Sequence, residues 1–282
     1  MLQLDIGGSP KFAQVMTAGC AELARLATEA SGSGSGSGVR PSSGSSEFGT
    51  GRAVPPGTEF KLLAPGMRLR NFEIKRHVGR GAMGVVLKGW QQELNRFVAV
   101  KVMSPYLAVS GAARRRFERE AQAAAAILHP NVMPIHSVSS TARLPYLVMP
   151  YLACESLQQR LDREGSLPLV EQLRIAVQVS RGLAAAHAQG LVHRDVKPAN
   201  ILLERGVDRV MLTDFGLARA VDDASLTRSG VIAGTPQYMS PEQACGDAID
   251  QRSDLFSFGS VMYAMAAGRA PFRAESSYGI LR

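Results

Sequence analysis

Residues 72–90 read FEIKRHVGRGAMGVVLKGW, and the fold turns on how this stretch is read. A β-prone run leads to glycines at 79, 81 and 84, and Val85-Val86-Leu87 then restarts a strand-like pattern. After a strand, G-x-G-x-x-G opens a dinucleotide-binding unit only if a helix comes next and an acidic residue follows about 20 positions on. Here VVLKGW is followed by RFVAVKVM (96–103), again strand-like, and no helical pattern begins before Ala112. The context therefore predicts strand, glycine turn, strand, strand. Such a hairpin suits phosphates, because without side chains the backbone N–H groups can approach an anion.

Working outward, 112–128 is helical, with a charged beginning and an alanine-rich end. Short β-prone runs follow at 132–138 and 146–151, and beyond Leu157 the pattern is mostly helical, above all over 167–189. The fold class expected is α+β in two lobes: an N-terminal antiparallel sheet with one helix, then a mainly helical lobe. A cleft between two such lobes is a common place for a ligand. On the N-terminal side, 1–30 is a helical segment whose apolar positions Phe12, Val15, Met16, Cys20, Leu23 and Leu26 recur at helical spacing. Residues 31–68 read as a flexible Gly/Ser-rich linker, since 15 of the 21 residues from Ser31 to Gly51 are Gly or Ser and offer almost no apolar area. The folded domain is expected over 69–282.

With 282 residues, 45% of them hydrophobic, the chain can build a real core, which excludes a disulfide-stapled mini-protein and a wholly disordered chain. The net charge of +8 attracts anions without selecting nucleic acid. Its basic residues are scattered and no nucleic-acid reader motif is present, so no nucleic-acid partner is expected. Cys20, Cys154 and Cys245 lie far apart, which fits a reducing compartment better than a zinc or redox site.

Four places carry chemistry besides the bulk pattern. The glycine hairpin is one. Lys101, inside the apolar strand AVKVM, is costly unless its ammonium meets an anion. Glu120 in the next helix could orient it, with Glu118 a competitor on another helix face. His193-Arg194-Asp195-Val196-Lys197-Pro198-Ala199-Asn200 places polar groups between apolar runs, as a loop gripped on both sides. There Asp195 could accept or orient a hydroxyl, Lys197 could stabilise a moving phosphoryl group, and Asn200 has an oxygen suited to Mg²⁺. Asp214, between the strand-like RVMLT and Phe215-Gly216, fits a hard-cation ligand. His77, His129, His136 and His187 read as capping or core residues.

The stretches GRGAMGVV, AVK, FEREAQ, HPN, PYLVMPY, HRDVKPAN, TDFGLA, GTPQYMSPEQ and SDLFSFG occur in this order. Together they resemble the eukaryotic-type (Hanks-type) protein kinases, in particular the bacterial serine/threonine kinases, over roughly 70–282. The resemblance implies Gly79, Gly81 and Gly84 over the phosphates of ATP, Lys101 on its α- and β-phosphates, and Glu120 as partner of Lys101. It implies Asp195 as catalytic base with Lys197 assisting, and Asn200 and Asp214 as ligands of Mg²⁺, for which Mn²⁺ could substitute. Val86, Ala99 and Leu202 would sandwich adenine, Met149 would be the gatekeeper, and the backbone of Pro150 and Leu152 would form the hinge contacts. Thr227 and Ser229 would be autophosphorylated, Thr235 would seat the substrate, and the substrates would be serine and threonine hydroxyls of proteins. Self-association for trans-autophosphorylation is consistent with this reading.

Some positions depart from the family pattern. Pro150 stands where Glu is frequent, Ala153-Cys154-Glu155 where a glycine is common, and Ser240 in place of Ala. Family domains also continue past the point at which this sequence stops. The expectation is therefore a kinase domain lacking its final helices, with Glu242 short of its arginine partner and Phe256, Val261, Met262 and Met265 partly uncovered. The alternative reading is a truncated, inactive kinase-like fragment that binds nucleotide weakly or serves as an interaction module. The sequence as given is expected in the cytoplasm, with membrane tethering if a longer chain continues.

Overall fold

The computed structural model describes residues 63–81, 84–140, 142–215, 236–274 and 277–280. The helical segment expected within 1–30, and Thr227, Ser229 and Thr235, lie outside them. Strands β1 (Arg68–Leu69), β2 (Phe72–Gly81), β3 (Gly84–Gln91), β4 (Arg96–Met103), β5 (Ser137–Ser139) and β6 (Tyr146–Pro150) form one sheet in the order β1-β2-β3-β4-β6-β5. Every pairing in it is antiparallel. The expected hairpin is thus β2–β3, closed where Gly81 faces Gly84, with β4 next to it in register Val86↔Lys101.

Side chains alternate across the sheet, as a period of two requires. One face buries Ile74, Val85, Leu87, Val98, Val100 and Val148 in a single cluster, each such aliphatic worth roughly 1.5–3 kcal/mol of transfer free energy. Leu63 is buried in that same cluster, so packing begins ahead of the boundary expected at 69. The opposite face carries Val86, Ala99 and Met149 and packs on helices α1 (Pro105–Ala108) and α2 (Gly111–Ala125). Ser110 caps α2 by accepting from Ala113 N at 3.3 Å.

Helix α2 stops short of Leu128. The chain must turn there to bury Ile127 while Leu128 stays 89% exposed, and Pro130 disfavours further helix. Of the β-prone run 132–138 only the last two residues join the sheet, within a strand that spans Ser137–Ser139. Its beginning pairs elsewhere: Val132 bridges Leu212 in parallel, and Met133 N donates to Leu212 O at 2.8 Å.

The second lobe contains helices α3 (Leu157–Glu164), α4 (Leu169–Ala188), α5 (Pro241–Cys245), α6 (Gln251–Ala267) and α7 (Ser277–Ile280). It also holds a small antiparallel sheet of β7 (Cys154–Ser156), β8 (Ile201–Glu204) and β9 (Val210–Leu212). Its core runs through Ile175, Val179 and Leu183 of α4 and Phe258, Val261 and Met262 of α6. One expectation about this lobe is corrected in part. Val261, Met262 and Met265 are fully covered, whereas Phe256 is partly uncovered as expected and stacks on Phe272 with ring centroids 5.7 Å apart. Glu242 accepts from the hydroxyl of Ser253, whose hydrogen bond holds the carboxyl below its usual range; this contact is separate from the arginine pairing considered above. Among the described residues no helix is long and apolar enough to cross a membrane.

Buried Glu155 joins β7 to α3 through Arg160, at 2.6 Å, and Arg163, at 2.6 Å. The Arg163 hydrogen bond is the main cause that lowers its pKa from 4.5 to about 2, against the opposing effect of burial. A depressed carboxylate contributes stability that is present above the unfolded value of 4.5 and lost as pH falls towards 2. Because Arg163 stands half in solvent, we expect about 1–2 kcal/mol from this source, not the full linkage value. Glu155→Gln should therefore lower the melting temperature at pH 7 and have little effect at pH 2.5. An equal loss at both pH values would show that packing, not charge, is what Glu155 supplies.

Candidate active site

The register of β8 and β9 brings the acidic and amide groups together. Ile201 pairs with Leu212, so Asn200 just before β8 lies beside Thr213 and Asp214 just after β9, and Thr213 N donates to Asn200 O at 3.0 Å. Asp214 and Arg194 are non-glycine residues at positive φ, 69° and 66°, a left-handed conformation that costs about 1–3 kcal/mol and persists only where surroundings enforce it. The enforcement is visible. Asp254, 1% exposed on α6, accepts His193 N on Oδ2 and Arg194 N on Oδ1, each at 2.8 Å, and sits 2.7 Å from His187 Nε2. Gln243 Nε2 donates to Arg194 O at 2.7 Å. The fully buried His193 ring lies 3.0 Å from Thr213 O and packs on Phe215, which ties the 193–200 loop to the 213–215 segment.

Within that frame Asp195 Oδ2 receives Lys197 Nζ at 2.8 Å and Asn200 Nδ2 at 2.9 Å. Among the described residues both partners fall on Oδ2, which leaves Oδ1 to meet a hydroxyl. Asn200 also donates to Asp195 O at 2.8 Å, so its amide nitrogen is engaged and its side-chain oxygen is the atom available to a cation. Lys101, 7% exposed, pairs with Asp214 Oδ1 at 2.7 Å. Burial pushes the Asp214 carboxyl up, but the Lys101 charge and hydrogen bond outweigh it and hold it below the usual range.

The expected Lys101–Glu120 ion pair is therefore not the one this structure contains; the nearer Asp214 carboxylate takes the ammonium. Glu118, the competitor for that role, instead accepts from Ser140 Oγ at 2.8 Å. Above these groups Val86, Ala99, Met149, Leu152 and Leu202 converge in one apolar cluster, together with Met211, which sequence reading had not selected. Pro150 ends β6 opposite Val98. Asp254 was missed as a site residue as well, though its signal was legible: an acidic residue in the apolar run SDLFSFG must find partners if buried.

Two observations test whether nucleotide and metal fit. A Cβ at Gly79 or Gly81 would meet nothing within 4 Å, so the fold itself makes no demand for glycine there and the space beside the backbone is open. At Gly84, in contrast, φ is +149° and a Cβ would stand 1.9 Å from Val102 O, so this glycine is required by the sheet. Asn200 and Asp214 supply hard oxygen donors, and among the described residues no cluster of three His, Cys, Asp or Glu groups could form a metal cage. Two protein oxygens, with the rest left to water and phosphate, suit Mg²⁺. We expect Gly84→Ala to lower the melting temperature severely, whereas Gly81→Ala should leave it within a degree or two and weaken nucleotide binding. Equal melting temperatures for the two variants would sink this division.

A sheet with a glycine hairpin and a mainly helical second lobe, with Lys101 paired to Asp214 and Asp195 held by Lys197 and Asn200, define a bilobal α+β kinase-like protein. Residues 72–281 match the family model described as protein kinase domain. A probable serine/threonine-protein kinase of Clostridium perfringens is 39% identical over 206 residues, covering 73% of this chain and 30% of that relative. Serine/threonine-protein kinase PknB of Mycobacterium tuberculosis is 37% identical over 225 residues, covering 78% and 36%. The crystal structure of the M. tuberculosis PknI kinase domain superposes with a TM-score of 0.62 at 30% identity, covering 76% of this chain and 80% of that one. The chain belongs to the protein kinase domain family, as a Hanks-type serine/threonine kinase domain related to the bacterial PknB and PknI type. It spans about a third of the length of these curated relatives.

Proposed function

We propose that this domain transfers the γ-phosphoryl group of ATP, with Mg²⁺, to serine and threonine hydroxyls of proteins. The observation that carries the reading is the Asp195 carboxylate, held through one oxygen by Lys197 and Asn200 and open through the other. That arrangement supports Asp195 as the group that receives or orients the acceptor hydroxyl, and Lys197 as the cation beside the phosphoryl group in flight. The β2–β3 hairpin with Gly79, Gly81 and Gly84 would cover the phosphates, and Lys101 would hold their charge. Val86, Ala99, Leu202 and Met149 would enclose adenine, with hinge contacts from the backbone of Pro150 and Leu152. Pro150 lacks an N–H but keeps its carbonyl, which is the group an adenine amine needs there.

Mg²⁺ held by Asn200 and Asp214 would neutralise charge on the polyphosphate. Lys101 must then share Asp214 with the cation, and Glu120 is the carboxylate placed on α2 to take up the ammonium. No covalent intermediate on the enzyme is required, because positioning and electrostatics supply most of the rate in such transfers. Autophosphorylation at Thr227 and Ser229, between copies of the chain, and substrate seating by Thr235 belong to the same proposal, as does a cytoplasmic location. Incubation with γ-labelled ATP and Mg²⁺, followed by phosphopeptide mapping, tests the whole. Label on Thr227 or Ser229 and on an added protein is expected, and cell fractionation checks the location. Nucleotide binding without any transfer would overturn the enzyme reading in favour of a binding module.

A further inference from the structure

The lower lobe holds a cavity of about 230 Å³ that the proposed transfer leaves unused. Its walls come from β7, α3, α4, β8 and the turn from β8 to β9. Leu203, which pairs with Glu155, faces away from its strand neighbour Leu202. The cavity therefore lies on the side of the small sheet turned away from the apolar cluster that holds Leu202. Arg160, Arg174, Arg205 and Arg209 line it, with Glu155, Glu204 and Asp208 between them. Part of this charge is matched internally. Arg160 donates to Glu155 at 2.7 Å and to Glu171 at 2.9 Å, and Arg209 Nε donates to Glu204 at 2.6 Å. Each guanidinium nevertheless carries five N–H donors, and each carboxylate accepts at about four places, so the donors are in surplus even with Glu171 counted. Surplus donors around open space are satisfied by water or by an oxyanion.

Asp208 marks where such an oxyanion would sit. Its side chain is 88% exposed, and its Oδ1 lies 2.5 Å from Arg174 Nη1. Gln178 Nε2 donates to Asp208 O at 2.8 Å, and Gln178 Oε1 accepts from Asn131 Nδ2 and Val210 N, each at 2.9 Å. The turn is thus pinned through its backbone while its carboxylate reaches back to the arginine from solvent. Water screens an exposed pair of this kind and holds it weakly, so a stronger anion can displace it.

We propose that this cavity binds the phosphate group of a phosphoserine or phosphothreonine on a protein, with Arg174, Arg205 and Arg209 as donors and Asp208 as the carboxylate that phosphate displaces. The choice of a protein-borne phosphate rests on the kinase reading above, because that transfer makes this group. A phosphate dianion with three acceptor oxygens draws more from forked guanidinium donors than one carboxylate does. Arg205 and Asp208 are exposed, so a modified side chain can enter while its own backbone stays outside.

Calorimetric titration of the full chain, its cleft filled with Mg²⁺ and a non-hydrolysable ATP analogue, tests the site. The probes are a synthetic phosphoserine peptide of otherwise neutral sequence, its unphosphorylated form and inorganic phosphate. The phosphopeptide should bind, the plain peptide should not, and inorganic phosphate should bind more weakly than the phosphopeptide. Arg174→Gln should weaken the phosphopeptide about tenfold, as loss of a charged donor does. Arg205→Gln, on the exposed turn, checks the same point should Arg174→Gln fail to fold. Asp208→Asn should tighten binding about threefold by removing a weak competitor, with turnover unchanged. A network that served stability alone would show no such opposite signs. Wild-type affinity in both arginine variants, or weaker binding in Asp208→Asn, would overturn the site, and equal affinity for inorganic phosphate would overturn a protein-borne ligand. Transfer from γ-labelled ATP, measured on the same preparations, keeps the two readings apart. Transfer without phosphopeptide binding overturns the pocket, and binding without transfer overturns the kinase reading.

Discussion

Asparagine at position 195 is expected to reduce phosphate transfer by about 10³-fold, within the range that loss of a positioned acid–base group usually costs. Affinity for Mg-ATP should stay within about threefold, because a change that removes an interaction made only in the transition state lowers kcat and leaves ground-state binding alone. The geometry makes the substitution clean. Asp195 receives Lys197 and Asn200 on one oxygen, and an amide oxygen can keep both bonds. What asparagine cannot do is accept a proton at the other position. Lys197 also loses a full negative partner, so it becomes a freer cation beside the phosphates and could tighten nucleotide slightly. Titration with a fluorescent nucleotide beside a single-turnover assay checks both halves. Parallel loss of binding and transfer would remove Asp195 from the chemistry and make it part of the nucleotide site.

Much of this arrangement was legible in the sequence, for identifiable reasons. Glycines at 79, 81 and 84 between strand-like runs, with no helix next, read as a hairpin, and Lys101 inside an apolar strand was legible as a charge that must meet an anion. The loop 193–200 was legible because polar groups between apolar runs have to be gripped from both sides. The partner of Lys101 was not. Glu120 and Asp214 are both carboxylates within plausible reach, and which one takes the ammonium depends on the tilt of α2 and on the left-handed backbone at Asp214, neither of which leaves a periodic trace. Asn131 escaped for a similar reason: Val132 and Met133 look β-prone because they do pair, but with β9 of the other lobe and not with the sheet. The Ser253 bond to Glu242 depends on how α5 meets α6 and likewise leaves no periodic trace.

Asp254 carries the second large effect. Its two oxygens accept the backbone N–H groups of His193 and Arg194 and meet His187, and the side chain is almost wholly buried. Asparagine has the same shape, but one oxygen becomes an NH₂ group, so at least one buried backbone donor must face another donor. Leaving such a group unsatisfied costs roughly 1–3 kcal/mol, and more when the lost acceptor was charged. For a domain of this size about 3 kcal/mol corresponds to a fall of roughly 6–12 °C in melting temperature. The functional cost should be larger than the thermal one suggests. Arg194 is held at a φ of 66°, and the residue after it is Asp195. Once the grip on Arg194 slackens, its backbone can relax out of the left-handed region and Asp195 swings with it. A displacement of about 1 Å is enough to cost around 10²-fold in rate. Asp254→Asn, assayed well below its own melting temperature, should therefore show kcat down about 10²-fold with nucleotide affinity nearly unchanged, since Lys101, Asp214 and the hairpin lie on other elements. His187→Gln, which keeps a side-chain amide near Asp254 and leaves both backbone bonds in place, should lose only a small part of either quantity. If Asp254→Asn melts early yet turns over at the wild-type rate in the cold, Asp254 is a core residue and the strained loop holds itself.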